Sequence, residues 1–184
     1  MKVLGISGSL RRDSHNTALL RAAEELLPPA AELELYDGLW AIPPYSEDAE
    51  ALGEPAPVAR LKAAIAQADA VLFSTPEYNH SIPGQLKNAI DWVSRPVATN
   101  PMQGKPAAVV GASTGSFGAV WAQADLRRVL GALHARVVGE ELPVAYAHEA
   151  FGPDGSLADP ELRRGLESLV LELVSDDARV LVAA

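Results

Sequence analysis

Two stretches restrict the fold more than any other feature of the chain. Ala70-Val71-Leu72-Phe73-Ser74 and Pro106-Ala107-Ala108-Val109-Val110-Gly111-Ala112 are apolar runs without polar alternation. A strand reads this way when both of its faces are covered, as in a parallel sheet held between two helical layers. Each run is followed by a short polar loop and then by apolar residues at helical spacing. After the first these are Leu86, Ala89, Ile90 and Val93; after the second, Val120, Leu126, Val129, Leu130 and Leu133.

The other elements repeat the alternation. Lys2 to Ser7 reads as the first strand, and a helix follows from Asn16 or Thr17 to Leu27, stopped by Pro28-Pro29. Glu32 to Tyr36 alternates polar and apolar like a half-buried strand. Val58 to Ala68 is helical, Pro83 opens the next helix at its first position, and a fourth helix runs from Ala119 to Leu133. Ala135 to Val138 is a short fifth strand. Asp159-Pro160-Glu161 starts the last helix, which carries Leu162, Leu166, Leu169, Leu173 and Val180, with an interruption expected near Ser175-Asp176-Asp177. Asp37–Pro57, Ser94–Lys105 and Glu140–Ala158 read as loops. Five strands alternating with five helices predict an α/β three-layer sandwich of flavodoxin-like type, with a five-stranded parallel sheet in the order 2-1-3-4-5, as one domain over residues 1–184.

In that order, the loops after strands one, three and four emerge together at the carboxyl edge of the sheet. The first, Gly5 to Thr17, is made of Gly, Ser, Asn and Arg and ends at a helix N-terminus. Small residues, hydroxyls, an amide and the positive end of a helix suit a phosphate. The second, Thr75 to Pro83, offers the aromatic face of Tyr78 in a loop tip, and backbone N–H groups from Asn79 to Ile82 before the next helix. That combination suits a flat ring bearing negative charge, such as a reduced flavin. The third is Ser113-Thr114-Gly115-Ser116-Phe117-Gly118.

Gly8-Ser9-Leu10-Arg11…Ser14…Asn16, followed by Pro76-Glu77-Tyr78-Asn79-His80-Ser81-Ile82-Pro83-Gly84-Gln85-Leu86-Lys87-Asn88-Ala89-Ile90-Asp91-Trp92, resembles the NAD(P)H-dependent FMN reductases. This is the flavodoxin-like group that includes quinone, chromate and azo-dye reductases. The resemblance runs at least to Val138. It implies that Ser9, Arg11, Ser14, Asn16 and Thr17 bind the FMN phosphate, that Pro76, Glu77, Tyr78 and Asn79 border the isoalloxazine, and that Ser113, Thr114 and Gly115 close its far side. It implies electron transfer from NADPH or NADH through FMN to a small acceptor such as a quinone. No side-chain acid or base is required for the hydride step, so no catalytic residue is assigned. It also implies a homodimer or homotetramer. In some chromate-reducing members a tyrosine bonds across the tetramer; Ala124 stands there in this chain, which favours the dimer.

Other residues carry two readings. Arg11 either binds the phosphate or is solvated; Arg12 is a candidate for the 2′-phosphate of NADPH. His15 and His80 read as loop histidines rather than catalysts. Trp92 reads as core or interface. Trp40 and Tyr45 either cover a neighbouring subunit's flavin or pack their own loop. Lys87 and Asp91 form an i,i+4 pair.

Gly111-Ala112-Ser113-Thr114-Gly115 matches the G-x-S-x-G of a hydrolase nucleophile elbow, with Asp125 and then His134 or His148 following in order. The short chain, the missing oxyanion motif and an unused anion loop count against that rival. An FMN-binding electron carrier is the second rival. Neither G-x-G-x-x-G after the first strand nor G-K-[ST] occurs, which disfavours dinucleotide and triphosphate folds.

Net charge of −9 argues against nucleic-acid binding through a basic face. The absence of cysteine excludes thiolate metal sites and a cysteine nucleophile, and His134 and His148 lack metal-ligand spacing. The N-terminus enters directly as strand without a leader pattern, and no apolar run reaches the roughly 18 residues of a membrane span. A cytoplasmic location is expected.

Overall fold

The computed structural model describes residues 1–175. Val180, Asp176 and Asp177, included in the sequence reading of the last helix, lie outside the described residues. In chain order the elements are β1 (Lys2–Ser7), α1 (His15–Glu24), β2 (Glu32–Leu35), α2 (Glu47–Ala51), α3 (Ala56–Gln67), β3 (Ala70–Thr75), α4 (Gly84–Val93), β4 (Pro106–Ala112), α5 (Val120–Ala132), β5 (Arg136–Val137), β6 (Leu142–Val144) and α6 (Pro160–Val174). Single 3-10 turns occupy Leu39–Ala41 and Val97–Thr99.

The sheet is parallel in the order β2-β1-β3-β4-β5, the flavodoxin-like arrangement that the alternation predicts. β3 and β4 are buried along their whole lengths, as their lack of polar alternation predicts. Alternate residues enter opposite layers. Val71, Phe73, Ala107 and Val109 pack against α3, α4 and α5 through Leu61, Ile65, Leu86, Trp92, Leu126 and Leu130. Ala70, Leu72, Ala108 and Val110 face α1 and α6 through Leu19, Leu20, Leu166, Leu169 and Val170.

Five differences from the sequence reading stand out. α1 begins at His15, earlier than Asn16 or Thr17, because the Ser14 hydroxyl accepts from the N–H groups of Asn16 at 3.2 Å and Thr17 at 3.3 Å. α1 also ends at Glu24, and Leu26 and Leu27 close tight turns onto Ala23 and Glu24 before Pro28. Pro83 is the residue before the first turn of α4 rather than its first residue. The sheet has a sixth strand: the position beside β4 is shared, with β5 pairing Pro106–Ala107 and β6 pairing Val110–Ala112. Between them the chain turns at Gly139, whose φ is +67°, and Glu172 accepts its N–H at 3.0 Å. The Asp37–Pro57 loop also holds structure of its own in the Leu39–Ala41 turn and α2.

Candidate active site

The three loops at the carboxyl edge surround a cavity of about 260 Å³. Ser9, Arg11, Ser14 and Asn16 line it from the first loop, Pro76, Glu77 and Tyr78 from the second, and Ser113 and Thr114 from the third. His15 and Ala112 line it as well. Ala112 is the last residue of β4, so its place follows once strand ends are taken as the floor of the site. Thr17, Asn79 and Gly115 do not line this cavity. Thr17 faces a neighbouring one and donates to the Ser7 hydroxyl at 3.1 Å. Gly115 donates its N–H to the Ser113 hydroxyl at 3.2 Å, and its carbonyl accepts from Tyr146 at 3.1 Å.

At the α1 end the groups that face the opening are donors. The hydroxyls of Ser9 and Ser14 each accept backbone N–H groups, leaving their own hydrogens for a ligand. The Arg11 guanidinium is steered by a 2.6 Å bond to the Asp13 carbonyl. Asn16 is nearly fully buried, and its amide is a clamp. Its Oδ1 accepts from Ser74 Oγ at 2.9 Å and from the Ala112 N–H at 3.0 Å, and its Nδ2 donates to the Ala112 carbonyl at 3.0 Å. Asn16 therefore ties α1 to the ends of β3 and β4 and keeps one amide N–H for the cavity.

The second loop is a tight turn. Tyr78 and Ser81 exchange backbone hydrogen bonds at 3.1 and 3.2 Å. Asn79 and His80 lie between them with φ of +54° and +60°, the signature of a type I′ turn. Asn tolerates this region and His is several-fold enriched in it. The Ser81 N–H, one of those expected to face a ring, is consumed in closing the turn. Tyr78 projects at the tip with its ring half exposed.

α5 holds this turn in place. The helix begins after Gly118 and Ala119, both in the left-handed region, and carries no cap of its own. Glu77 supplies one from outside: its Oε2 accepts from the N–H groups of Trp121 and Ala122 at 3.0 and 3.2 Å. Ser81 donates to Asp125 at 2.8 Å, and the His80 ring meets Trp121 edge-on at 4.6 Å. Sequence reasoning gave Glu77 a place beside the ring and missed this role. The available signal was a helix start at Ala119–Val120 with no Ser, Thr, Asp or Asn to cap it. His15 stacks on Phe151 at 6.2 Å; burial first, then the Arg11 charge, hold its imidazole below the ordinary value.

The hydrolase constellation is not assembled. The Ser113 hydroxyl bonds Gly115, Asp125 bonds Ser81 and Arg128, and His148 pairs with Glu149. No described histidine is hydrogen-bonded to Ser113.

Residues 1–149 match the family model described as NADPH-dependent FMN reductase. The chain belongs to this family. It is 49% identical over 164 residues to an NAD(P)H-dependent FMN reductase of Pseudomonas aeruginosa, covering 89% of this chain and 88% of that protein. A quinone reductase of Pseudomonas putida is 41% identical over 157 residues, covering 84% and 83%. Among solved structures, the flavoenzyme NAD(P)H:acceptor oxidoreductase FerB of Paracoccus denitrificans superposes with a TM-score of 0.81 at 39% identity, over 94% of this chain and 96% of that one. As an FMN reductase family member the protein is an FMN-dependent NAD(P)H oxidoreductase. The donor set fits the cofactor: a dianionic phosphate needs hydroxyl, amide and guanidinium donors, and the one carboxylate in the cavity wall, Glu77, is turned onto the N-terminus of α5. No helix among the described residues is long and apolar enough to cross a membrane.

Proposed function

We propose that this FMN reductase passes electrons from NADPH or NADH to a quinone-type small acceptor, working as a single-domain cytoplasmic homodimer. The observation that supports it is the division of the cavity into a donor-only end at Ser9, Arg11, Ser14 and Asn16 and an aromatic tip at Tyr78. The name of the Pseudomonas putida relative supports the acceptor class.

FMN, when bound, supplies the two-electron chemistry that couples nicotinamide to acceptor. The chain supplies binding and orientation. Ser9, Arg11, Ser14 and Asn16 hold the phosphate, and His15 lies beside it. Pro76, Glu77 and Tyr78 border the ring through their backbone and the Tyr78 face. Ser113 and Thr114 close the far side. Thr17, Asn79 and Gly115 act one step back: Thr17 through Ser7, Asn79 by shaping the turn that carries Tyr78, and Gly115 by fixing the Ser113 hydroxyl.

The test is the absorbance spectrum of the purified protein in the flavin bands, then anaerobic addition of each nicotinamide, then of a quinone. Bleaching by nicotinamide and recovery with the quinone is the expected result. Flavin that binds but is not bleached by either nicotinamide would identify an electron carrier instead. Activity that disappears in Ser113→Ala without any flavin would restore the hydrolase.

A further inference from the structure

A second cavity, of about 390 Å³, opens on the other side of the first loop, above β1 and β2. Ser9 and Arg11 form the wall it shares with the flavin cavity. Arg12 and Arg21 line it, with Trp40 at its rim. Three arginines around one hollow stand out in a chain of net charge −9. The Arg12 and Arg21 guanidiniums make no hydrogen bond or ion pair with any described residue. The acid in the same wall, Asp37, is already paired with Arg60 at 2.8 Å.

Trp40 is 73% exposed, yet its backbone is fixed. Leu39 is buried beneath it, and Gln85 of α4 donates to the carbonyls of Leu39 at 2.7 Å and Ile42 at 2.9 Å. A rigid turn therefore holds a bare indole face beside free guanidiniums. Indole and guanidinium together recognise a purine carrying a phosphate, by stacking and by charge-assisted hydrogen bonds.

We propose that this second cavity holds the phosphorylated adenosine end of the nicotinamide dinucleotide, with Arg12 and Arg21 on the 2′-phosphate and Trp40 on the adenine. The proposal rests on the nicotinamide reading above and deepens it, because it makes this hollow the source of selectivity for NADPH over NADH. The shared Ser9–Arg11 wall lets one ligand reach from the adenosine hollow to the ring in the flavin cavity. Arg11 stays with the FMN phosphate.

The experiment uses FMN-loaded protein and two readouts. Calorimetry compares adenosine 2′,5′-bisphosphate with 5′-AMP. Steady-state kinetics compare NADPH with NADH in the wild type, Arg12→Gln, Arg21→Gln and Trp40→Ala. The expected result is at least tenfold tighter binding of the bisphosphate than of AMP. Each arginine variant should lose most of that preference and raise KM for NADPH about tenfold, with KM for NADH, kcat and FMN affinity within twofold of wild type. Trp40→Ala should weaken both adenosine probes about fivefold and leave their ratio unchanged.

Equal affinity for the two probes overturns the proposal. So do arginine variants that affect NADH and NADPH alike, and a Trp40 variant that changes only oligomeric state, which would assign the indole to a neighbouring subunit. Failure of the parent reading looks different: neither nicotinamide would bleach bound FMN, whatever the probes do.

Discussion

The carboxylate of Glu77 caps a helix more than forty residues away in sequence, accepting the Trp121 N–H at 3.0 Å. The loop that presents Tyr78 and the helix that follows β4 are thereby one mechanical unit. Glu77→Ala removes the outside cap from α5 and is expected to cost about 1–2 kcal/mol of stability in urea unfolding, in the range of other lost helix caps. Glu77→Gln keeps an acceptor and should recover about half. FMN affinity should fall in parallel, because the turn loses its tether. Unchanged affinity in the alanine variant would mean that Ser81–Asp125 and His80–Trp121 suffice to hold it.

Asn16 is the second structural member of the site. Asn16→Ala leaves the buried N–H and C=O of Ala112 without their side-chain partner, and should destabilise the protein by about 2–4 kcal/mol, measured by chemical denaturation. Asn16→Asp retains the acceptor for Ala112 N–H but places a carboxylate under the phosphate end. Its loss of FMN affinity should therefore exceed that of the alanine variant, relative to the stability each retains.

Ser9→Asp tests the phosphate assignment with little structural cost, because the Ser9 side chain is only partly buried and bonds only the Arg11 N–H. FMN affinity should drop by at least tenfold in flavin-fluorescence titration, with the urea midpoint near wild type. Riboflavin, which lacks the phosphate, should be affected far less.

His15 gives the cavity a pH signature. Its folded-state pKa lies below the ordinary value because of burial and Arg11. Its contribution to stability is therefore complete above the unfolded imidazole pKa and is lost as pH falls through the folded one. A phosphate beside Arg11 offsets that charge, so FMN should move the His15 pKa upward and binding should take up protons. NMR titration of the His15 ring protons with and without FMN measures this directly. A pKa unmoved by FMN would place the phosphate elsewhere.

What the sequence made legible depended on how local the determining interaction is. β3 and β4 declare themselves because burial on both faces leaves no polar alternation in either strand; the polar residues of β3, Ser74 and Thr75, stand at its end. The order of the strands followed from the alternation and the handedness of crossovers. β6 is different. It has three residues, one of them Pro143, and its pairing with Val110–Ala112 depends on where the chain goes after Gly139. No local pattern encodes that.

The candidate site divides the same way. Composition marked the first loop as an anion site, and the family resemblance singled out Ser9, Arg11 and Ser14 within it. Asn16 and Thr17 are neighbours in sequence, but about 100° of helical rotation sends them to different cavities. The second role of Glu77, as the cap of α5, was not legible because the uncapped helix start lies far along the chain. Bonds to partners that are distant in sequence, such as Glu77 to the Trp121 N–H and Asn16 to Ala112, left no local signal.

The divided strand beside β4 has a consequence for the margins of the sheet. At one margin the sheet ends in β5 and β6, two and three residues long and separated by the turn at Gly139. At the other it ends in the four residues of β2, where Glu32 and Glu34 are exposed. Neither margin is a long, uncharged template on which a strand from another molecule can add. Continuous sheets that run from one molecule into the next are discouraged by the way the chain closes its own border.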